Sequence, residues 1–197
     1  MPESIDLTPL LKVLEDLVAW LEAGEVPGMV IGGLAASLLG RPRLTRDVDV
    51  LVLLAEGRWA EFLAAGTEFG FTPRRSDALA FARETMVLLL RHEKSGIDVD
   101  LVFGSLAFEK EAVARVTWME LGGIRVPLPL SEDLIIMKAV AHRPRDLADI
   151  EAILAAHPKL NLKKVRRWVR EFSQALEMPE ILSDLEALLS PRRKRKK

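Results

Sequence analysis

Two apolar stretches of the sequence carry pairs of aspartates at the same spacing. Asp47 and Asp49 lie in RLTRDVDVLV, and Asp98 and Asp100 lie in GIDVDLVFG. In a β-strand, residues i and i+2 point to the same face, so each pair would place two carboxylates on one face, roughly 7 Å apart. Like charges this close need a cation or solvent between them. If the two strands are neighbours, three or four acids converge on one face of a sheet.

A cluster of carboxylate oxygens is a hard ligand set that suits Mg²⁺, which binds one or two carboxylates together with substrate phosphates. Two such ions, about 3.5–4 Å apart, can stabilise both the attacking and the leaving oxygen of a phosphoryl transfer. The alternative is that an Asp-Val-Asp strand is amphipathic and shows its acids to water. Two such strands in one chain, together with the glycine turn described next, favour the metal site.

Gly32 and Gly33 form a diglycine at the start of a short helical pattern. A turn of this kind lets backbone N–H groups approach an anion closely and adds the helix dipole. A diglycine alone is more often simple turn chemistry. No Walker-type lysine follows it and the chain has no G-x-G-x-x-G, so P-loop and dinucleotide-binding sites are excluded.

The apolar pattern predicts the elements that would position these residues. From Asp6 to Glu25, leucines recur at helical spacing. MVIGG predicts a buried strand that ends in the glycine turn, and LAASLLG predicts a short helix that ends at Gly40. DVDVLVLL predicts a strand, and residues 58–69 are helical by pattern. TMVLLLRH and GIDVDLVFG predict one hairpin, VTWMEL and IRVPLPL predict another, and the pattern is helical from Ser131 onward.

Strands and helices are mixed in the first part of the chain, and helices alone follow. This order predicts an α+β fold, with a mixed β-sheet core, flanking helices and a helical C-terminal subdomain. We expect residues 1–130 to form the core with its N-terminal helix, residues 131–190 the helical subdomain, and residues 191–197 a basic disordered tail.

Composition excludes several other classes of protein. The 197 residues include no cysteine, so disulfides, thiol catalysis and zinc–thiolate sites are excluded. No secretory signal is recognisable and no apolar run is long enough to span a bilayer, so we expect a cytoplasmic protein without a membrane partner. The three histidines lack metal-ligand spacing, and no Ser/His/Asp set is visible. The tryptophans lie in apolar patterns, which predicts that Trp20, Trp59, Trp118 and Trp168 belong to the core.

The charge is unevenly distributed along the chain. The last seven residues, PRRKRKK, hold six of the 28 basic residues, so the rest has 22 basic and 29 acidic residues and a balance of −7. The tail is either a solvated end, since like charges repel and nothing apolar anchors them, or a non-specific arm for nucleic acid or another polyanion.

The stretch VIGGLAASLLGRPRLTRDVDVLV resembles the signature of the DNA polymerase β-type nucleotidyltransferase superfamily. The shared features are a hydrophobic strand, a glycine turn, a short helix and Asp-x-Asp on the next strand, with a third acid on a later strand. The form Arg43-x-Thr45-x-Asp47-x-Asp49 is most similar to minimal stand-alone bacterial and archaeal members, including abortive-infection toxins of the AbiEii type. EDLIIMKAVAHRPRDLADIEAIL resembles their helical region.

The resemblance implies a role for each matching acid. Asp47 and Asp49 would bind the metal ions. Asp100 would be the third acid, which also binds metal and helps to activate the attacking hydroxyl. Asp98 lies on the same predicted face and is the alternative third acid.

The resemblance also implies the residues that hold the nucleotide. Gly32 and Gly33 would hold the triphosphate, Arg43 and Thr45 would orient the loop or a phosphate, and Lys138 would reach the phosphates from the helical subdomain. Many members have a serine in place of Gly33, whose hydroxyl touches phosphate; here only backbone donors remain. The charged run around Asp146 and Asp149 is either an ordinary helix-surface network or a support for the site.

A protein of this family would be a metal-dependent enzyme, with Mg²⁺ or Mn²⁺ as cofactor, that transfers a nucleoside monophosphate from an NTP to an acceptor hydroxyl. The acceptor could be tRNA or another RNA, a protein or a small molecule, and an AbiEii-like toxin would have a cognate antitoxin. One alternative is a non-catalytic relative that binds nucleotide or a partner protein. Another alternative is a protein that binds nucleic acid through its basic tail. The net negative charge of the rest of the chain argues against this alternative.

Overall fold

A five-stranded sheet carries both acid-bearing stretches. The computed structural model describes residues 7–43, 45 and 47–190. Among these, residues of 7–35 and 45–130 belong to one compact unit, and residues of 36–43 and 131–190 belong to a second. The predicted basic tail, 191–197, lies outside the described residues.

The first unit holds all the strands. In chain order its elements are α1 (Thr8–Ala23), β1 (Gly28–Ile31), the first half of α2 (Gly32–Leu39), β2 (Asp47–Val52), α3 (Trp59–Gly66), β3 (Phe71–Pro73), α4 (Ala78–Thr85), β4 (Val87–His92), β5 (Ile97–Phe103), α5 (Ala107–Val113), β6 (Thr117–Leu121) and β7 (Ile124–Leu128). Short 3₁₀ turns, Glu56–Arg58 and Thr67–Phe69, flank α3.

The strand order of the main sheet is β1-β2-β5-β4-β3. The central pair, β2 and β5, is parallel, and the other three pairs are antiparallel. The predicted hairpin of β4 and β5 is present. The sheet is therefore mixed, and together with the helices it confirms the predicted α+β fold.

One face of the sheet is buried in the core of the first unit. Val48 and Val50 on β2 and Val99 and Leu101 on β5 are fully buried. Because side chains alternate along a strand, the aspartates between these residues point to the opposite face. The buried face thus fixes the direction of the acids.

A stack of rings completes the core of this unit. The ring of Trp20 on α1 stacks on that of Phe62 with centroids 4.1 Å apart, and on that of Phe71 at 5.0 Å. Trp59 stacks on Phe103 at 3.9 Å. These contacts hold α1 and α3 against the sheet and confirm the prediction that Trp20 and Trp59 belong to the core.

Strands β6 and β7 form a separate two-stranded sheet. Trp118 on β6 is 47% exposed, with the guanidinium of Arg125 lying 5.0 Å from the centre of its ring. The prediction that Trp118 belongs to the core is therefore wrong, because its strand turns this side chain outward. Trp168 is half-buried. Pro127 is accommodated within β7 since a two-stranded sheet leaves one edge of each strand unpaired.

The second unit is helical. It contains the end of α2 and helices α6 (Ser131–Ala141), α7 (Pro144–Ala156), α8 (Leu162–Ala175) and α9 (Pro179–Leu189). Each of the last four helices contributes fully buried aliphatic side chains, namely Leu134, Ile135, Ile136, Ile150, Ile153, Val165, Val169, Ile181 and Leu185. No helix in the described part of the chain is both long and apolar enough to cross a bilayer.

Candidate active site

Four aspartates share one face of the main sheet. In the parallel pair β2–β5, Asp47 is in register with Asp98, and Asp49 is in register with Asp100. Asp47 is exposed and the other three are half-buried. Since paired residues of neighbouring strands point the same way, the structure brings the two acid pairs together.

The glycine turn lies against Asp49. Ile31 at the end of β1 is in register with Asp49, and the chain turns directly after it. Gly32 has a φ of +64°, and a Cβ at this position would lie 1.8 Å from Asp49 Oδ2, so a side chain here is excluded by both conformation and space. The N–H of Gly33 donates to Asp49 Oδ2 at 3.4 Å. The turn therefore presents a backbone donor at the acid face.

Two arginines bind the acids of β5. Arg91 on β4 is in register with Asp98 and donates to its Oδ1 from Nε at 2.9 Å and from Nη2 at 2.7 Å. Arg74, directly after β3, donates from Nη1 to Asp98 Oδ2 at 3.1 Å and from Nη2 to Asp100 Oδ1. Sequence reasoning missed both arginines. The stretch FTPRRSDA has no periodic pattern. Arg74 comes within reach of Asp100 only because the sheet places β3 two strands away from β5.

Burial, together with the neighbouring carboxylates, raises the pKa of Asp100. Burial is the largest cause; repulsion from Asp49, Asp47 and Asp98 acts in the same direction, and the Arg74 guanidinium opposes it. A carboxyl with a raised pKa is a stronger base once ionised. Asp100 therefore combines proximity to the other acids with an environment suited to proton transfer.

The acid face fits a divalent metal ion by donor chemistry. All its donors are carboxylate oxygens, the ligands that Mg²⁺ and Mn²⁺ prefer, and four such groups share one face of two neighbouring strands. Within 7–43, 45 and 47–190, no group of three or more His, Cys, Asp or Glu side chains is already spaced to hold a metal. Two of the four carboxylates, those of Asp98 and Asp100, instead form ion pairs with Arg74.

The other predicted nucleotide-binding residues lie outside this face. Thr45 is half-buried just before β2. Arg43 and Lys138 belong to the second unit, where both bind Asp149: Arg43 donates from Nε and Nη2 at 3.0 Å each, and Lys138 Nζ lies 2.9 Å from Oδ2. Lys138 is 3% exposed, and its Nζ also lies 2.7 Å from Asp146 Oδ1. Contact between Lys138 and a phosphate stays a prediction.

The charges around Asp146 and Asp149 form a buried cluster rather than a helix-surface network, since both carboxylates are buried. Burial tends to raise the pKa of Asp146, yet hydrogen bonds from Arg143 and Lys138 outweigh it and hold that pKa below its ordinary value. Arg43 and Lys138 lower the pKa of Asp149 in the same way, against burial. The ion pairs therefore keep both acids charged inside the second unit.

A Ser/His/Asp set, which the sequence did not reveal, lies elsewhere in the first unit. His92 Nδ1 lies 2.8 Å from Ser95 Oγ, and His92 Nε2 lies 3.0 Å from Asp16 Oδ2. The ring of His92 is fully buried, and Ser95 Oγ also accepts the N–H of Ile97 at 3.2 Å. A ring without access to solvent cannot serve a substrate. This set ties the β4–β5 turn to α1.

A comparison with protein-family models matches the chain to one family over residues 8–186. Its description is "Nucleotidyltransferase of unknown function (DUF6036)". The matched range covers nearly all of the described residues. A comparison with curated proteins found no match.

Solved structures with the same fold include three nucleotidyltransferase-like proteins. ANT(2'')-Ia in complex with adenylyl-2''-tobramycin is 19% identical, with 88% of this chain and 99% of that chain covered and a TM-score of 0.55. The lincosamide antibiotic adenylyltransferase LnuA, bound to lincomycin, is 14% identical, with 78% and 99% covered and a TM-score of 0.52. An antigenic nucleotidyltransferase-like protein from Paracoccidioides brasiliensis is 16% identical, with 90% and 92% covered and a TM-score of 0.51. At these identities the likeness shows the fold alone.

Proposed function

This chain belongs to the family of nucleotidyltransferases of unknown function, and we propose that it transfers a nucleoside monophosphate from an NTP to an acceptor hydroxyl. One observation carries the proposal: Asp49 and Asp100 lie in register on the parallel strands β2 and β5, with Asp47 on the same face and a glycine turn beside them. This arrangement unites an anion-binding turn with a cation-binding face, which phosphoryl transfer from an NTP requires.

Asp47, Asp49 and Asp100 are the residues that would hold Mg²⁺ or Mn²⁺. When bound, such ions neutralise the charge that develops on the phosphoryl and leaving oxygens. Asp49 is fixed by the Gly33 N–H, whereas Asp47 is exposed at the start of β2 and open to substrate. We propose that Asp98 is not a metal ligand, because two arginines already bind its carboxylate.

In the proposed reaction the acceptor oxygen attacks the α-phosphorus of the NTP. The bond from that phosphorus to the bridging oxygen of the β-phosphate breaks, and pyrophosphate leaves. The proton of the acceptor hydroxyl passes to the carboxylate of Asp100, which lies in register with Asp49 on the acid face.

The glycine turn would bind the triphosphate through its backbone. A side chain at Gly32 would collide with Asp49, so the turn keeps its donors close to the acids. For Arg43 and Lys138 we propose a supporting role, since both are engaged by Asp149. Arg43 precedes β2 by a few residues, and its fixed position would orient the intervening loop.

We further propose that the acceptor is a hydroxyl of RNA or of a protein and that the chain is an AbiEii-like toxin with a cognate antitoxin. The motif Arg43-x-Thr45-x-Asp47-x-Asp49 supports this narrower form. If the chain is such a toxin, its expression should arrest growth, and Asp49→Asn should relieve that arrest. A small-molecule acceptor is the alternative that ANT(2'')-Ia and LnuA illustrate for this fold.

The test is incubation of the chain with each α-labelled NTP, Mg²⁺ or Mn²⁺, and cell extract. We expect label in a macromolecule, and its loss with Asp47→Asn or Asp49→Asn while circular dichroism shows an unchanged fold. Asp77→Asn is the matched control, because this acid is exposed and pairs only with Arg75 among the described residues. Full transfer by the Asp47 or Asp49 variant would refute the proposed site.

A non-catalytic relative that binds nucleotide is the second candidate function. The glycine at position 33, where related enzymes often have serine, and the arginine-bound acids of β5 favour it. Saturable NTP binding by the wild type, with no label transferred to any component of the extract, would select this function.

A further inference from the structure

Arg74 places a positive charge among the acids of the candidate site. Its guanidinium spans two carboxylates on β5, with Nη1 bonded to Asp98 and Nη2 bonded to Asp100. The guanidinium fork carries five N–H donors in a fixed plane, so two separate carboxylates can be bridged at once. The Arg74 side chain is 28% exposed and lies at the edge of the cluster rather than in the core.

The sheet itself fixes the position of Arg74. Its backbone N–H donates to Leu89 O at 2.9 Å, which continues the β3–β4 ladder one residue beyond Pro73. Leu89 is in register with Asp100, and Asp100 is in register with Asp49. Arg74 therefore lies in the same row across the sheet as the two acids nearest the glycine turn.

Asp98 and Asp100 differ in their dependence on Arg74. Asp98 has a second partner, Arg91, which binds its other oxygen at 2.7 Å. Among the described residues, Arg74 is the only cationic side chain paired with Asp100. Withdrawal of Arg74 would leave Asp98 neutralised and only Asp100 in need of a new cation.

We propose that Arg74 is the resident counter-ion of the third acid, holding Asp100 in place until a divalent cation takes over that carboxylate. This inference rests on the proposed function, in which Asp100 is a metal ligand. A guanidinium and a divalent cation on one carboxylate repel each other, because they are like charges held close together where water screens them only in part. Arg74 thus sets the metal affinity of the site, and its bond to Asp100 is given up as the metal binds.

The direct test is Mn²⁺ binding to the free protein without NTP, measured by isothermal titration calorimetry or by electron paramagnetic resonance. Arg74→Gln keeps a polar side chain but removes the charge, so we expect Mn²⁺ to bind at least about tenfold more tightly than to the wild type. Arg91→Gln is the matched control. It removes an arginine that binds Asp98 alone among these acids, and it should change Mn²⁺ affinity by less than about threefold.

Thermal unfolding supplies a second readout that does not require turnover. Without metal, Arg74→Gln should unfold at a lower temperature than the wild type, because Asp100 then faces Asp49 and Asp47 uncompensated. Saturating Mn²⁺ should remove most of that difference. Arg74→Lys keeps the charge but loses the fork that bridges both carboxylates, so its Mn²⁺ affinity should lie between those of the wild type and Arg74→Gln, which separates loss of charge from loss of geometry.

Mn²⁺ affinity that is unchanged or weaker in Arg74→Gln would overturn the inference. If the wild type binds Mn²⁺ and Asp49→Asn abolishes that binding, the proposed metal site survives such a result and only the role of Arg74 falls. If neither the wild type nor Arg74→Gln binds Mn²⁺, the inference and the metal-dependent function fall together. Binding by Arg74→Gln alone would support the inference most strongly.

Discussion

At the scale of single residues, Asp98 and Asp100 have the same side chain but different neighbours, and these neighbours give them different properties. Asp98 shares a row with the exposed Asp47 and is bound by two arginines. Asp100 shares a row with Asp49, beside the glycine turn, and its pKa is raised chiefly by burial. Asp98 is therefore paired with two cations, whereas Asp100 is half-buried beside another carboxylate and is paired with Arg74.

We therefore predict that Asp100→Asn lowers turnover by roughly 10²–10⁴-fold, the range typical for loss of a group that transfers a proton in the transition state. Asp98→Asn should cost much less, because Asp98 is paired with arginines and not with substrate. Single-turnover rates at saturating NTP and metal measure both variants. If Asp98→Asn instead lowers turnover more than Asp100→Asn, Asp98 is the third acid, and the catalytic acid of β5 pairs with Asp47 rather than with Asp49.

The sequence predicted the acids but not their arginine partners, for a physical reason. The i, i+2 spacing of the aspartates is local, so it can be read without knowledge of the fold. Arg74 reaches Asp100 only because β3 lies two strands from β5 and because its backbone continues the ladder to Leu89. Contacts that depend on strand order leave no periodic signal in the sequence.

At the scale of elements, a buried ion-pair cluster joins α6 to α7. Lys138 on α6 is bound by Asp146 and Asp149 on α7, and Arg143 also binds Asp146. The folded-state pKa of Asp146 is lowered, so its contribution to stability is complete above the ordinary carboxyl pKa of about 4. That contribution is lost as the pH falls below about 4 and through the folded value.

We predict that Asp146→Asn lowers the free energy of unfolding at neutral pH by about 1.5–3 kcal/mol, because it removes charge-assisted hydrogen bonds from the buried cluster while Asp149 still compensates Lys138. The variant should also lose less stability than the wild type when the pH falls below about 4. Urea unfolding at several pH values measures both effects. Glu171→Gln, which breaks only an exposed pair with Arg167, should behave like the wild type. An unchanged acid dependence in Asp146→Asn would contradict the assignment.

Most elements rich in apolar residues were predicted, and three short ones, β3, α4 and α5, were not. β2 and β5 alternate valines and leucines with acids, and α1 repeats leucines at helical spacing. β3 has only three residues, one of them Pro73, so no alternation can develop. Helices α4 and α5 have eight and seven residues and lie between polar turns, which made them indistinguishable from loops.

At the scale of the whole molecule, the basic C-terminal residues contrast with an acidic body. The residues before the tail, 22 basic and 29 acidic, carry a net negative charge that would repel a polyanion. The six cations of the last seven residues would attract it. A run of cations raises the rate of encounter with a polyanion but supplies no chemistry.

We predict that deletion of Arg192 to Lys197 leaves NTP affinity and metal-dependent pyrophosphate release unchanged. If the acceptor is RNA, the deletion should raise the apparent KM for it, and the effect should fade as salt screens the charges. A protein or small-molecule acceptor should be affected little. KM for the acceptor at two salt concentrations measures this. Loss of NTP binding on deletion would show that the tail takes part in the nucleotide site.

The strand order also has a consequence for the way the chain acquires activity during synthesis. β1 and β2, and likewise β3 and β4, all precede β5 along the chain, so each of these two pairs can form before β5 has been synthesised. β5 comes last of the five along the chain and lies between β2 and β4, so it closes the sheet and delivers Asp100 to Asp49 in one step. Pairing across about fifty residues is slow compared with local hairpin formation. A nascent chain that ends before Ile97 therefore has every glycine and acid of the first motif but neither acid of β5, and competence for transfer is expected only once β5 has entered the sheet.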